Sequence, residues 1–464
     1  MRLTPVLTMN TFVSFLTIIF SFGVLLREKC TIISLLLFIN LVSGELFAQA
    51  DFTPNYNEDQ VPTYTLPDPL VTKEGKAVAS SEQWWQKRRP QLLQLFESQV
   101  YGKTPQQKID VRHRLISTDE KSLGGRATRK EIRVFFTSKD DRPYMDILLY
   151  VPNGANQPVP AFLGLNFAGN HAVDDDSTIT LSDQWMLNRK GTGVVDHQAT
   201  KASRGVRADA WPVEKIIDRG YALATVYCGD IDPDYNNFQD GVHPLFYEAG
   251  QSKPADDEWG TISAWAWGLS RALDYLQTEG TVAGDQVAVI GHSRLGKAAL
   301  WAGAQDKRFG MVISNNSGCG GAALFRRAYG ETVEAINNAC PHWFCDNFKQ
   351  YNKNEESLPV DQHMLLALVA PRPVYVASAE DDQWADPKGE FLSAIHATPV
   401  YKLLGKEGLP VTEMPPVDQP VMGTIGYHIR HGKHGINVYD WQQYLNFADK
   451  HFQDSAFPPR TSGN

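Results

Sequence analysis

The sequence predicts an α/β protein in which a mostly parallel central sheet carries helices on both faces. Short apolar runs suited to buried strands alternate with helical patterns along the chain, as they do in parallel sheets. No repeat or Pro/Gly-rich linker divides residues 76–464, so we expect one domain with insertions. Hydrophobic residues make up 42% of the 464 residues, which is enough for a large core and excludes a disordered protein.

The elements are predicted in order from local patterns. A helix over residues 80–100 begins after a Ser-Ser cap and has apolar side chains at helical spacing. A polar, Gly-containing stretch at 174–209 is the expected surface insertion. Strands are predicted at 131–136, 145–151, 160–166, 221–228, 286–291, 311–314 and 373–378, and later helices at 262–276, 296–305 and 441–452.

The first 50 residues resemble a leader rather than part of the fold. An apolar run at 31–42 follows a charged patch and ends in Phe47-Ala48-Gln49-Ala50, which predicts a signal peptide cleaved near Ala50 and export to the periplasm or medium. An earlier apolar run at 12–26 is either an upstream extension or a membrane anchor. Residues 51–75, rich in Pro, Asp and Thr, are expected to be an extended lead-in, and no later segment is apolar enough to span a bilayer.

Net charge and cysteine content restrict the ligands and cross-links that this chain is expected to have. A net charge of −9 without a basic stripe argues against nucleic-acid binding. Outside the leader the cysteines are Cys228, Cys319, Cys340 and Cys345. They allow one or two disulfides whose pairing cannot be assigned, and their spacing predicts no zinc site.

Asp230-Ile-Asp232-Pro-Asp234 suggests either a calcium loop or, more simply, a turn with solvated acids.

A possible nucleophile lies at the end of the strand predicted at 286–291. There the sequence runs Gly-His-Ser-Arg-Leu-Gly-Lys (291–297) into a helix, the strand–turn–helix context of the α/β-hydrolase nucleophile elbow. Ser293 would project at the helix N-terminus, where backbone N–H groups favour an oxyanion. The alternative is a serine that merely caps the helix, and the Gly-x-Ser-x-x-Gly spacing departs from the usual Gly-x-Ser-x-Gly.

A serine nucleophile needs a base and an orienting carboxylate, which follow it in the order acid, histidine in this fold. Acidic residues at 379–387 follow the strand predicted at 373–378, although a solvated acidic turn would read the same way. His434, just before the last helix, is best placed as the base, whereas His428 and His431 are interpreted as loop or supporting residues. The loop 165–171 either supplies an oxyanion donor or is a plain turn.

The 291–297 motif resembles the Gly-Cys-Ser-Arg-x-Gly-Lys signature of the glucuronoyl esterases, carbohydrate esterase family fifteen. Stretches at 313–321, 342–344, 358–364 and 379–387 resemble its bacterial members. The resemblance covers most of 76–455 and implies an α/β-hydrolase without metal or organic cofactor. It also implies cleavage of esters between 4-O-methyl-glucuronate on glucuronoxylan and lignin alcohols, by a chain expected to act as a monomer.

Carried over residue by residue, the resemblance makes Ser293 the nucleophile, His434 the general base and Arg294 an oxyanion-stabilising cation. Lys297, Glu331 and Trp384 would then hold the glucuronate, Lys297 and Glu331 through its hydroxyls and Trp384 as an apolar wall.

Two positions depart from the family pattern. His292 replaces a cysteine that many members join by a disulfide near the catalytic histidine, so that bond is not expected. Asn316 stands where many members have the triad glutamate, so the acid is expected after the later strand, at Asp382 or else Asp381. Rival interpretations are an acetyl-xylan esterase on the same fold and a non-catalytic carbohydrate-binding protein.

Overall fold

A ten-stranded sheet forms the centre of the computed structural model, which describes residues 52–452. The strands are β1 (Arg112–Lys121), β2 (Ala127–Phe135), β3 (Tyr144–Pro152), β4 (Val159–Asn166), β5 (Ala222–Tyr227), β6 (Val282–His292), β7 (Met311–Asn315), β8 (Val374–Ala379), β9 (Val421–Met422) and β10 (Ile425–Arg430). Their order across the sheet is β1-β2-β3-β5-β4-β6-β7-β8-β10-β9. Neighbouring strands in this order are parallel from β5 through β10, and the other pairs are antiparallel.

Helices cover both faces of this sheet. The first, α1, is one helical segment over residues 81–101 whose N-terminus is capped by Ser80, which accepts a hydrogen bond from the N–H of Gln83. The other main helices are α2 (Val213–Asp218), α3 (Thr261–Leu276), α4 (Arg294–Gln305), α5 (Val333–Ala339), α6 (Gln362–Val369), α7 (Pro387–Leu403) and α8 (Val438–Phe452). Short helical turns occur at Ser122–Gly125 and Cys228–Ile231.

Alternate residues of the central strands feed two separate cores. On β4, Ala161 and Leu163 join the core beneath α3, α4 and α6, whereas Phe162 joins the core beneath α2 and α8. Because successive side chains of a strand point to opposite faces, a strand buried on both faces needs a continuous apolar run. The predicted α/β architecture with a mostly parallel sheet covered on both faces is therefore confirmed.

The predicted strands and helices all coincide with observed ones to within a few residues, but several elements were missed. Strand β1 lies at the sheet edge with mostly exposed polar residues, so it has no apolar run to detect. Strand β10 contains His428 and Arg430, both buried. Of the two alternatives for His428, the loop is wrong, because contacts with Asp440 at 2.9 Å allow both polar side chains to be buried in a strand.

The predicted lead-in and the predicted insertion both form ion pairs with the rest of the fold. In residues 52–75 the 3-10 turn Glu58–Gln60 places Glu58 2.6 Å from Arg327 and 2.7 Å from Lys388. In the stretch 174–209, Asp176 binds the buried Arg129 at 2.7 Å. The predicted leader, residues 1–50, lies outside the described residues. Among residues 52–452, no helix has both the length and the apolarity that a membrane crossing requires.

Candidate active site

Ser293 lies in a strained turn between β6 and α4. Its backbone has φ 57° and ψ −132°, and its side chain makes no helix-capping hydrogen bond. A Cβ added to Gly291 would lie 2.0 Å from the carbonyl oxygen of Leu295, and one added to Gly296 would lie 3.0 Å from that of Gly291. The two glycines thus allow the chain to fold back on itself here. The geometry matches the predicted elbow and differs from that of a serine that merely caps a helix.

His434 and Asp382 form a close pair at the carboxyl ends of β8 and β10. The Nδ1 atom of His434 lies 2.6 Å from Oδ2 of Asp382, and the same oxygen accepts a hydrogen bond of 2.8 Å from the Asn316 side chain. Asp382 is buried, whereas Asp381 is exposed and contributes only its backbone N–H, to the carbonyl of Gly432. Of the two candidate acids, the structure brings Asp382 to the histidine.

His292 links this pair to the elbow. Its ring lies 4.6 Å from that of His434, centroid to centroid, so His434 lies beside the residue that immediately precedes Ser293. Nδ1 of His292 is 2.6 Å from the side-chain oxygen of Asn315. Burial, and then the neighbouring His434, lower the pKa of His292 to about 3, so this imidazole is neutral at ordinary pH. The four cysteines of the described chain are free thiols.

Arg430 holds the loop that carries His434. From the end of β10 its guanidinium donates to the backbone carbonyls of His431 at 2.9 Å, Lys433 at 3.3 Å and Gly435 at 2.7 Å. The buried Asp440 of α8 neutralises this cation at 2.9 Å. His431 is exposed in the loop after β10 and pairs with Glu380. The loop interpretation therefore holds for His431 and fails for His428, which lies within β10.

Arg294 follows the nucleophile directly and is paired with Asp234. Its Nε lies 2.6 Å from Oδ2 of Asp234, and its guanidinium packs over the ring of Phe167, 4.6 Å from the ring centroid. Phe167 belongs to the loop 165–171 that sequence placed near the oxyanion. The prediction that Asp230, Asp232 and Asp234 form a turn of solvated acids is wrong, because Asp230 and Asp232 are buried and Asp234 is largely so.

The three predicted sugar-binding residues are brought together beside the elbow. Lys297 is buried and donates to the carbonyls of Ser317 at 2.7 Å and Cys319 at 2.6 Å, with its Nζ 3.5 Å from Glu331. The backbone N–H of Glu331 donates to the carbonyl of Trp384 at 2.9 Å. Trp384 itself is 40% exposed, in the turn between β8 and α7.

Glu390 is a buried carboxyl that the sequence did not reveal. From α7 it accepts hydrogen bonds from the backbone N–H groups of Ser317 at 2.8 Å and Gly318 at 3.0 Å, and from the hydroxyl of Ser378 at 2.6 Å. Burial, with a smaller contribution from the charge of Asp382, raises its pKa to about 8. Glu390 therefore supports the turn after β7, from which Asn316 reaches Asp382. In the neutral form its Oε2 carries the proton and the bond to Ser378 reverses, with Oε2 donating to Ser378 Oγ.

This carboxyl makes stability depend on pH. The ordinary pKa of glutamate is 4.5, so between that value and about 8 the folded protein keeps a proton that the unfolded chain has released. The stabilisation is complete below the unfolded pKa and is lost as pH rises through the folded one. In Glu390→Gln, which mimics the neutral acid, the free energy of unfolding should fall less steeply with pH, by about 1.4 kcal/mol per unit. Urea titrations at pH 5 to 8 would measure both slopes, and equal slopes would contradict the assignment.

Sequence reasoning missed three supporting residues for different reasons. Asp234 was visible as part of an acidic motif, but nothing in the motif shows which cation it faces. Arg430 and Glu390 act on backbone groups, which leave no complementary side chain in the sequence to find. Asn316 was noticed only because it departs from the family pattern.

Comparison with known proteins agrees with this geometry. The family model described as glucuronyl esterase, fungi, matches residues 243–405. A carbohydrate esterase, MZ0003, from an unknown prokaryotic organism is 52% identical over 87% of this chain and 93% of its own length. A solved glucuronoyl esterase from Solibacter usitatus has 48% identity and a TM-score of 0.81, over 85% of this chain and all of its own.

A more distant relative from Wolfiporia cocos, named 4-O-methyl-glucuronoyl methylesterase 1, is 28% identical over 76% of this chain and 74% of its own length. The close matches span 85% or more of this chain and nearly all of their own length. The chain therefore belongs to the glucuronoyl esterases, carbohydrate esterase family 15, and is of the bacterial type, with an α/β-hydrolase fold.

Proposed function

We propose that this esterase hydrolyses 4-O-methyl-glucuronoyl esters through a covalent acyl-enzyme on Ser293. The observation that carries the proposal is the 2.6 Å contact between His434 and Asp382, made beside an elbow whose serine is not used as a helix cap. A histidine oriented by a buried carboxylate beside a strained serine is the arrangement that activates a hydroxyl for attack. Membership of the glucuronoyl esterase family supports the choice of substrate.

The reaction follows from the roles of these groups. Ser293 Oγ attacks the ester carbonyl while His434 takes the hydroxyl proton through Nε2, since Nδ1 faces Asp382. The protonated His434 then gives that proton to the departing alcohol. Water, deprotonated by the same histidine, hydrolyses the glucuronoyl-enzyme and restores Ser293. Asp382 stays ionised throughout, fixing the tautomer of His434 and stabilising the imidazolium.

Charge develops on the carbonyl oxygen in both steps, and a cation next to the nucleophile stabilises it. Arg294 follows Ser293 directly, at the first position of α4, and this adjacency supports the role of its guanidinium at an oxygen bound there. The N-terminus of α4 adds backbone N–H groups and the positive end of the helix dipole. Arginine suits this task because its planar fork keeps its charge at every relevant pH.

The sugar is held at Lys297 and Glu331. Two N–H groups of Lys297 are used by backbone carbonyls, and the third makes only a long contact of 3.5 Å with Glu331. A sugar hydroxyl could accept from this third N–H while donating to the carboxylate of Glu331. The exposed indole of Trp384 would cover the apolar face of that ring. These contacts favour a pyranose acid over a simple acyl group.

A substrate panel with one variant tests this proposal. The wild type should hydrolyse benzyl or methyl glucuronate esters faster than the matching galacturonate esters and an aryl acetate. Trp384→Ala should raise KM for the glucuronate ester about tenfold, which corresponds to about 1.4 kcal/mol of lost contact. The same variant should leave hydrolysis of the aryl acetate unchanged, because that small ester does not reach the indole.

Other outcomes separate the rivals. Preference for the acetate would favour an acetyl-xylan esterase on the same fold. Failure of a fluorophosphonate to label Ser293 would favour a non-catalytic carbohydrate-binding protein.

We also propose that the natural esters join glucuronoxylan to lignin alcohols, and that the protein acts as a monomer after export and cleavage near Ala50. The pattern of residues 1–50 supports export. One chain supplies Ser293, His434 and Asp382, which supports activity as a monomer.

A further inference from the structure

Asp234 gathers donors from two separate parts of the active site. Its carboxylate lies 2.6 Å from Nε of Arg294, next to the nucleophile. Its other oxygen accepts a hydrogen bond of 2.8 Å from the indole N–H of Trp343 and lies 3.2 Å from Nε2 of His342. Residues 342 and 343 thus hold Asp234 in place, and Asp234 in turn pairs with Arg294, the first residue of α4.

The ion pair with Asp234 is made at Nε of Arg294 and does not use the two terminal nitrogens of the guanidinium. Within residues 52–452, Arg294 forms an ion pair with Asp234 at Nε without hydrogen-bond alignment, and its two terminal nitrogens make no hydrogen bond. The guanidinium lies between the rings of Phe167 and Trp343, 4.6 and 5.6 Å from their centroids. The side chain is only 14% exposed, so packing restricts the plane of the guanidinium. Its two terminal N–H₂ groups remain able to donate to a substrate oxygen.

The surrounding charges explain why an anion is needed here. Burial lowers the pKa of Arg189, and the charge of Arg294 lowers it further. Burial alone would raise the pKa of Asp234, but His342 and Arg294 hold it below its usual value, so this carboxyl is ionised. An ionised Asp234 therefore stands beside the partly buried cation of Arg294.

We propose that Asp234 is a positioning residue that aims the terminal nitrogens of Arg294 at the oxyanion formed on Ser293. The inference rests on the proposed function, because it gives Arg294 a substrate-stabilising role. Asp234 itself does not touch the reacting atoms. It acts by holding a partially buried cation in the orientation that the transition state requires, with no reorganisation when charge develops.

A double-mutant cycle on the full chain tests the coupling. Asp234→Asn keeps the shape and an acceptor for Trp343 but removes the charge. Because misplacing a catalytic group by about 1 Å costs roughly 10²-fold, kcat for a glucuronate ester should fall by about 10- to 100-fold with little change in KM. In an Arg294→Gln background the same substitution should change kcat by less than about threefold, since the group it orients is gone.

Asp230→Asn is the matched control. Asp230 belongs to the same loop and is also buried, but burial raises its pKa and it has no contact with Arg294, so its neutral amide analogue should keep wild-type kcat. Thermal unfolding of each variant shows whether the fold is intact.

Two results would overturn the inference while leaving the proposed function in place. One is an Asp234→Asn variant with at least half of the wild-type kcat, alongside an Arg294→Gln variant that is strongly impaired. The other is a pair of losses that simply multiply in the double variant. An Arg294→Gln variant as active as the wild type would instead remove Arg294 from the proposed mechanism, and the inference with it.

Discussion

Replacing Ser293 with alanine should lower kcat/KM for a glucuronate ester by about 10⁴-fold or more, because no acyl-enzyme can form without the hydroxyl. The elbow itself should persist, because the close approach of its backbone depends on the missing side chains of Gly291 and Gly296 and not on the serine hydroxyl. Initial rates at several substrate concentrations measure the loss, and labelling by a fluorophosphonate should disappear with it.

Circular dichroism and a thermal melt provide the control for Ser293→Ala, and both should match the wild type. Residual activity above about one percent in a clean preparation would contradict a serine nucleophile at this position. The proposed acyl-enzyme would then have to be abandoned even if the substrate preference were correct.

The second large effect is expected at Asp382. Asp382→Asn should lower kcat by about 10³- to 10⁴-fold, because an amide neither stabilises the imidazolium of His434 nor fixes its tautomer. The loss should appear mainly in kcat, since Asp382 is buried behind His434 and faces no substrate. Steady-state kinetics on the benzyl ester would separate kcat from KM.

Asp381→Asn is the natural comparison, because it makes the same chemical change one residue away on an exposed side chain. We expect activity within twofold of the wild type for this variant. If instead Asp382→Asn is nearly as active as the wild type and Asp381→Asn is not, the acid has been assigned to the wrong residue.

Much of the fold was predictable because its central strands are buried on both faces. Such strands appear as continuous apolar runs, and β4 through β8 were all located in this way. The missed strands β1 and β10 have different causes. Strand β1 lies exposed at the sheet edge and has no apolar run. Strand β10 contains the polar residues His428 and Arg430, which can be buried there because Asp440, twelve and ten positions later on α8, lies beside them.

The site divides along the same line. Ser293 and His434 stand in local patterns that predict their places, and the structure puts His434 beside the elbow. The preference for Asp382 over Asp381 depends on which side chain is buried toward the histidine, which local sequence only suggests. Asp234 and Glu390 depend wholly on long-range contacts, with Arg294 sixty residues away and with the turn at 317–318.

The hold that Arg430 has on the histidine loop is made entirely on main-chain oxygens. It binds the carbonyls of residues 431, 433 and 435 and ignores their side chains, and no covalent bond to the elbow is involved. The loop can therefore change its side chains at the mouth of the active site while His434 keeps its place. Substitutions of the side chains at 431 and 433 should therefore leave the contact between His434 and Asp382 in place.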